Sequence, residues 1–554
     1  MAGTVTFIEV GGASVAKAVD GSTVTGWVSS ASVAVNTDTF LTGSSSISDK
    51  VSAATVYAYG LGAGIVGEPW NFSSGGGDEG NHIFMIANVS GSIDTLANGG
   101  FGIVVADDLA TDSVGAWYVG PQAGSLSGWE YFVINPAEDF DTVIVAGSGS
   151  WVTNGNPSQL SGVDGIGPRW KVLNTIMGAS DNAFVQSISV GIGYRITGTT
   201  SLSFDDFATY EQTNRFGALQ VKAGILFPLC KLVIGVGSGA GDTTLTESGF
   251  TVIWQGQSRP GGGKATAVGF YALNINKGTG STNVTLSNGT FAATAPEFVD
   301  IVLTGGTSIS FTNINVDRAR LVTLDSTVTW NGGQIKNSGV ITASGSIFTN
   351  VTVQESTVAA DASSLLWNDS GDPDGNIDGC TFVKATGTAH HAIEFGSSAP
   401  TTMTLTDLTF SGFNASNGQN DSTLNFTDGS GKNYTVNLVG CSGNISYKVA
   451  GTSTVTLVTS VPVTVTVVDK DDNPIATAQT AVYVGATEVL NTDTNASGIA
   501  SGSYGGTTPA NAVWKVRKSS TGATKYVAAS GPAVIASGTG MSVKVVLLED
   551  AVAA

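Results

Sequence analysis

Leu286-Ser-Asn-Gly-Thr-Phe291, Phe311-Thr-Asn-Ile-Asn-Val316, Trp330-Asn-Gly-Gly-Gln-Ile335, Phe348-Thr-Asn-Val-Thr-Val353, Ile377-Asp-Gly-Cys-Thr-Phe382 and Leu405-Thr-Asp-Leu-Thr-Phe410 are six variants of one string. Each begins and ends on an apolar residue. Between these lie two small or polar residues, a small or apolar one, and a polar one. Successive starts lie 25, 19, 18, 29 and 28 residues apart. A short repeat of this kind, lengthened in places by loops, predicts a right-handed parallel β-helix over residues 264–460. The apolar positions should stack into ladders inside the coil. Asn and Gly should mark its corners, where left-handed backbone angles cost them little. Leu438-Val-Gly-Cys-Ser442 reads as a last, imperfect coil.

On the N-terminal side, residues 1–212 hold strand-like runs separated by turn signals: His82–Ile86, Phe101–Val105, Ala116–Val119, Trp129–Ile134 and Phe184–Val190. Several are apolar along their length, as strands between packed layers are. With Trp27, Trp70, Trp117, Trp129, Trp151 and Trp170 concentrated here, the region reads as a jelly-roll β-sandwich with one short helix near Pro168–Met177. Residues 213–263 read as a β-rich connecting segment. Its strands fall at Phe216–Phe227, Lys231–Val236 and Phe250–Gln255, and a Ser258–Gly263 loop ends it. On the C-terminal side, Val463, Val465 and Val467 alternate with threonines. Turns follow at Asp469–Pro474 and Thr494–Gly498, with strands at Thr480–Val484, Val513–Arg517, Lys525–Ala528 and Val543–Leu548. Short strands at this density predict an Ig-like β-sandwich over residues 461–554. The fold class is therefore all-β throughout.

Composition narrows the function. Among 554 residues only 12% are charged, 74 are glycine, and the formal net charge is −20. A chain this acidic repels phosphate backbones, so no nucleic acid partner is expected. The acidic residues are scattered, as on a solvated surface. Three cysteines (Cys230, Cys380, Cys441) and three histidines (His82, His390, His391) supply too few ligands, too far apart, for a transition-metal centre. Met1–Val10 lacks the basic and apolar segments of a signal peptide, and no apolar stretch is long enough to span a membrane.

Each motif with a chemical reading also has a plainer one. Asp317, Asp325, Glu355, Asp361, Asp378 and Glu394 lie near the repeats but at no common coil position. A glycosidase needs two carboxylates facing one bond. Arg318 and Arg320 lack the aspartate cluster of a calcium-dependent lyase. Asp369-Ser-Gly-Asp-Pro-Asp-Gly-Asn-Ile-Asp378 offers spaced oxygen ligands for calcium but has no closing glutamate, and a turn between coils is preferred. The same choice holds for Asp469, Asp471 and Asp472. His390 and His391 are neighbours on a strand, should face opposite ways, and read as corner or surface residues. Cys380 and Cys441 share one string position; a buried apolar ladder is preferred to a disulfide. Val190–Arg195 and Ile234–Gly239 echo phosphate loops but open no predicted helix. Trp70 and Trp151 offer stacking surfaces for glycans, with core packing the commoner use of tryptophan. No catalytic, cofactor-binding or metal residue is assigned, and no enzyme activity or cofactor is expected.

Asn473, Pro474, Ile475, Ala481, Val482, Tyr483 and Asn495–Gly498 carry a resemblance to bacterial Ig-like and carboxypeptidase-regulatory-like modules. The repeat region is similar to the β-helices of phage tailspikes and pectin-lyase-like proteins. The N-terminal region resembles concanavalin-like jelly rolls. In this order, jelly roll, β-helix and Ig-like module resemble bacteriophage virion structural proteins, including head-decorating fibres and tail proteins. The resemblance implies a non-enzymatic protein on the virion surface, assembled in the host cytoplasm. Capsid decoration as a head fibre is the first expectation. A tail fibre or tailspike adhesin for host surface glycans is the alternative, with a polysaccharide depolymerase behind it. The implied partners are further copies in a homotrimer and virion proteins such as the major capsid protein, with no membrane.

Overall fold

The fold is known from a computed structural model. It describes residues 3–16, 18, 27–29, 32–36, 41, 46–50, 57–62, 70–73, 75–77, 80–89, 96–108, 113–119, 129–136, 150–153, 162–163, 165–172, 183–255, 269–384, 387–505, 509–518, 524–536 and 540–550. The protein is all-β with a long parallel sheet, compatible with a β-helix. It divides into two compact units, Met1–Val328 and Thr329–Ala554.

The first unit opens with two antiparallel sheets. One has five strands in the order Ser32–Asn36, Ser46–Lys50, Ala183–Gly191, His82–Val89, Glu130–Ile134. The other has six, in the order Ser150–Thr153, Ser113–Val119, Leu96–Asp108, Gly165–Val172, Tyr57–Gly62, Trp27–Ser29. Four of the five expected strands of this region fall within these elements, and the fifth, expected at Trp129–Ile134, begins one residue later at Glu130. The expected helix does not form where its residues are described. Pro168 read as a helix start, yet Gly165–Val172 is a strand paired on both edges, to Leu96–Asp108 and Tyr57–Gly62. Ladder bonds on two sides outweigh a local signal. Residues 173–177 lie outside the described residues.

The helix sits at Phe204–Asn214 instead. The Ser203 amide donates to Asp206 Oδ2 at 2.7 Å, a cap that fixes the entry. Phe204, Phe207, Ala208 and Glu211 form its buried stripe at i, i+3, i+4 and i+7. Arg215 ends it in the left-handed region at φ 54°. The run Phe216–Phe227, expected as one strand, is a hairpin of Leu219–Lys222 and Ile225–Pro228, turned at Ala223 (φ 52°) and Gly224 (φ 77°). The Ser258–Gly263 loop lies outside the described residues.

Parallel pairing begins before residue 264. Gly193–Leu202 pairs with Lys231–Ile234, and that file continues through Ala272–Ile275, Val299–Leu303 and Ala319–Leu324. A second file runs Thr243–Ser248, Thr282–Ser287, Ser308–Asp317, and a third runs Ile225–Pro228, Thr251–Trp254, Thr290–Ala293. Each strand thus meets its counterpart one repeat further along the chain. Leu286 stacks on Phe311 and Phe291 on Val316, as the string alignment requires.

The second unit repeats this arrangement. Val328–Lys336 pairs with Ile347–Thr349 and Thr352–Gln354, which leads to Thr381–Val383, Thr409–Ser411 and Ser442–Gly443. Val340–Ala343, Ser363–Trp367, His391–Phe395, Leu424–Phe426 and Tyr447–Val449 form another file. Trp330 stacks on Phe348, and Ile335, Val353, Phe382 and Phe410 align in turn.

The physical logic of the string is visible at each position. The first and last residues of all six strings are buried. The third residues — Asn288, Asn313, Gly332, Asn350, Gly379 and Asp407 — all have φ between 51° and 77°. Asn, Asp and Gly are the residues that tolerate this corner. A Cβ on Gly379 would also lie 2.4 Å from Asn350 Oδ1 of the preceding coil. The fourth position explains the cysteines. Cys380 Sγ donates to Phe348 O and Cys441 Sγ to Leu405 O, both at 3.2 Å. Leu408 holds the same position in the coil between them. Two strand spacings, about 9.5 Å, exceed disulfide reach, and all three cysteines are free.

The strand Thr454–Val468 pairs in its first half with Asn433–Val439, then in its second half with Ile499–Tyr504 and Met541–Val546. A four-stranded antiparallel sheet faces it, ordered Thr487–Asp493, Gln479–Val484, Ala510–Arg517, Ala529–Ile535. The two sheets share a core that includes Val463, Val465, Val482, Val516 and Ile535. The strand expected at Lys525–Ala528 starts later, at Ala529. Pro532 fits within it because this is an edge strand, where a missing N–H is tolerated.

Candidate functional site

A buried carboxylate, Glu211, lies at the C-terminal end of the helix. Glu211 faces inward because it occupies the fourth place of the apolar stripe. Its carboxylate accepts the Phe216 amide at 3.1 Å, the Gly217 amide at 3.0 Å, and the Tyr194 hydroxyl. Burial pushes the carboxyl up to about 7 against these hydrogen bonds, which favour the charged form. Burial, with Glu211 nearby, also raises the Tyr194 hydroxyl and the Cys230 thiol well above their ordinary values and carries Tyr131 to about 12.

A cavity of about 390 Å³ adjoins this cluster, lined by Trp129, Tyr131, Glu211, Arg215, Gln220 and Lys222 among others. Arg215 Nη1 donates to Tyr131 Oη at 3.3 Å, and its Nε is buried without a partner. An aromatic wall with two cations suits a polar or anionic ligand. Glu211 is the only carboxylate among the described lining residues. Among the described residues no second carboxylate joins it to make a glycoside-cleaving pair. Its own bonds tie the helix end to the following turn, which is a structural task.

The residues singled out from the sequence are engaged in local structure. Asp325 closes a turn by accepting the amides of Thr327 at 2.9 Å and Gly305 at 2.7 Å. Arg320 forms a two-point pair with Asp300, its Nε 2.9 Å from Oδ1. Arg318 donates to the carbonyls of Glu297 and Pro296 and lies over the Phe298 ring. In the aspartate-rich loop, Asp369 accepts from Gly371, Asp372 from Asp374 and Thr404, Asp374 from Thr406, and Asp378 from Gly375. These are turn and coil-to-coil bonds. Asp469 likewise accepts the amides of Asp471 and Asn473, and Asp472 pairs with Lys544 at 2.9 Å. Among the described residues no group of three or more His, Cys, Asp or Glu side chains could hold a metal.

The histidines are a correction. Expected at corners or on the surface, His390 and His391 are both buried. Neighbouring backbone supplies their partners: Thr388 O lies 2.8 Å from His390 Nδ1, and Ser422 O lies 2.5 Å from His391 Nδ1. His391 Nε2 meets Asp361 Oδ1 at 3.0 Å, and Lys448 Nζ meets the same oxygen at 2.5 Å. The hydrogen bonds from Lys448 and then His391 hold the Asp361 carboxyl below its ordinary range. Glu394 accepts from Ser363 at 3.3 Å. Asp317 ends the strand Ser308–Asp317, and Glu355 takes a left-handed corner at φ 53°. Trp70 is buried and stacked on Phe72, a core role, while the Trp151 side chain lies outside the described residues.

No family model matches this sequence, and no curated protein is similar to it at a significant level. The reading of function therefore rests on the chain itself. Glu211 is the residue the sequence reading missed. The signal was a charged residue recurring on the stripe of Phe204, Phe207 and Ala208, visible only once the segment is read as a helix.

Proposed function

We propose that this is a non-enzymatic bacteriophage structural protein displayed on the virion surface, with capsid decoration as a head fibre its most direct use. In this reading the parallel files are a right-handed β-helix serving as a stiff spacer. The N-terminal antiparallel sheets are a jelly roll over residues 1–212, and the C-terminal pair an Ig-like module over 461–554. The observation that supports it most is the register in which Val353, Phe382 and Phe410 stack, all of them buried. Such a stack binds coil to coil through backbone ladders and inward side chains, and its product is rigidity. Open ladder ends need covering, which flanking sheets and association into a homotrimer both provide. The major capsid protein is the partner this reading implies.

A tail fibre or tailspike adhesin for host glycans is the second reading. The cavity formed by Trp129, Arg215 and Lys222 favours it. A depolymerase would additionally release reducing sugars from host polysaccharide. Imaging purified particles with this protein labelled separates these readings. Label on the head in capsid-symmetric copy number supports decoration, label on the tail supports the adhesin, and absence of label from particles refutes both.

A further inference from the structure

The outer face of the four-stranded C-terminal sheet carries a groove of about 410 Å³, within the range that small-molecule sites occupy. Its shape follows from register. Lys515 stands between Ala481 on one neighbouring strand and Ser530 on the other, so a long side chain is flanked by two short ones. Two residues away on each side, on the same face, Tyr483 lies opposite Val513 and Gln479 lies opposite Arg517.

These side chains are held in order by a chain of contacts. Lys515 Nζ lies 5.0 Å from the centre of the Tyr483 ring. The Tyr483 hydroxyl donates to Glu488 Oε2 at 2.9 Å, and Asn491 Nδ2 donates to Glu488 Oε1 at 3.2 Å. Gln479 Nε2 reaches Asn491 Oδ1 at 3.5 Å, and Arg517 Nε donates to Gln479 Oε1 at 2.7 Å. The chain begins and ends on a cation, with a small-residue floor between. Among the described residues neither Lys515 nor Arg517 has a carboxylate partner. Arg517 uses only its Nε in this chain, and among the described residues its terminal nitrogens have no protein acceptor. Two unpaired, oriented cations on a chain of net charge −20 are the reverse of its general surface.

We propose that this face is a binding site for a carboxylate-bearing saccharide. Arg517 and Lys515 take the carboxylate, and Asn491 and Ser530 take ring hydroxyls. The groove lies on the face of the sheet, where main-chain groups are already paired, so recognition runs through side chains. A peptide adding to the ladder would join an edge of the sheet, not this face. The site stands apart from the question of head or tail location, and its test does not use particles.

Titration calorimetry of the full chain uses two probes, a hyaluronan hexasaccharide carrying glucuronate carboxylates and the neutral chitohexaose. The expected result is binding of the acidic probe at least about ten-fold tighter than the neutral one, weakened by salt. Arg517→Gln should lower that affinity about ten-fold, the effect of losing one charge-assisted contact. Ala481→Trp fills the groove while keeping both cations and should abolish binding; circular dichroism verifies the fold of each variant. Equal affinity for both probes, no binding of either, or acidic binding unchanged in both variants would overturn the proposal. So would a glutamate-rich peptide that binds as tightly as the saccharide.

Discussion

Phe382→Ala tests the stacked coil where it is most regular. Phe382 is 1% exposed, lies between Val353 and Phe410 in the ladder, and its ring is 5.7 Å from that of Phe410 at an interplanar angle of 17°. Removing a buried phenylalanine costs about 3–5 kcal/mol through lost transfer energy and the cavity left behind. About 0.5–1.5 kcal/mol of aromatic pairing with Phe410 is included in that loss. Because each coil contacts only its neighbours, the loss should stay local. Hydrogen exchange read by mass spectrometry measures it. Amides of Thr352–Gln354, Thr381–Val383 and Thr409–Ser411 should exchange about 100-fold faster or more, while Gln479–Val484 should be unaffected. Thr381→Ala, half-buried on the outward side, should change exchange little. Loss below about 1 kcal/mol, or loss spread evenly to Gln479–Val484, would refute the stacking argument.

Three other outcomes follow from named residues. Asn350 sits at φ 57°, with its Nδ2 donating to Asn331 at 2.9 Å; Asn350→Val should cost about 2 kcal/mol or more by denaturation, and Asn350→Gly distinctly less. Glu211 keeps its proton to about pH 7 when folded but ionises near 4.5 when unfolded, so the folded state binds more protons between these values. Its contribution is therefore whole below about pH 4.5, declines by roughly 3 kcal/mol as pH rises to 7, and is level above. Glu211→Gln should remove about half of the slope seen in pH-dependent melting, because the Glu247 carboxyl is also raised to about 7 and keeps a comparable share. Burial carries the Cys380 thiol to about 12 and the Cys441 thiol to about 11, so native protein at pH 8 should resist maleimide labelling until denatured; rapid labelling would place these thiols outside the coil.

Legibility in the sequence followed the range of the interaction. The strings were readable because inward burial and the left-handed corner each demand particular residues at fixed offsets, as Phe348, Asn350 and Val353 do. The turn at Asp469–Pro474 was readable for the same local reason: Asp469 bonds amides two and four residues on. The coil at Glu247-Ser-Gly-Phe-Thr-Val252 escaped notice because it opens on a charged residue, although Gly249 keeps the corner at φ 77°. The strand at Gly165–Val172 depends on partners some 60 and more residues away, which no local window contains. The same holds for Glu211, whose hydroxyl partner Tyr194 lies 17 residues back. Histidine burial was likewise set by the adjoining coil, through Ser422 O on His391.

Parallel coil-on-coil pairing is the claim on which the rest depends. Thr381, Thr409 and Ser442 align on successive outward strands, with Thr409 Oγ1 3.1 Å from Ser442 Oγ. In a background with Cys230, Cys380 and Cys441 changed to serine, cysteine pairs at these sites measure the register by oxidation. Thr381→Cys with Thr409→Cys, and Thr409→Cys with Ser442→Cys, should each close an intramolecular disulfide across one strand spacing of about 4.8 Å. Thr381→Cys with Ser442→Cys, two spacings apart, should remain reduced. Closure of that last pair in preference to the other two would contradict the coil.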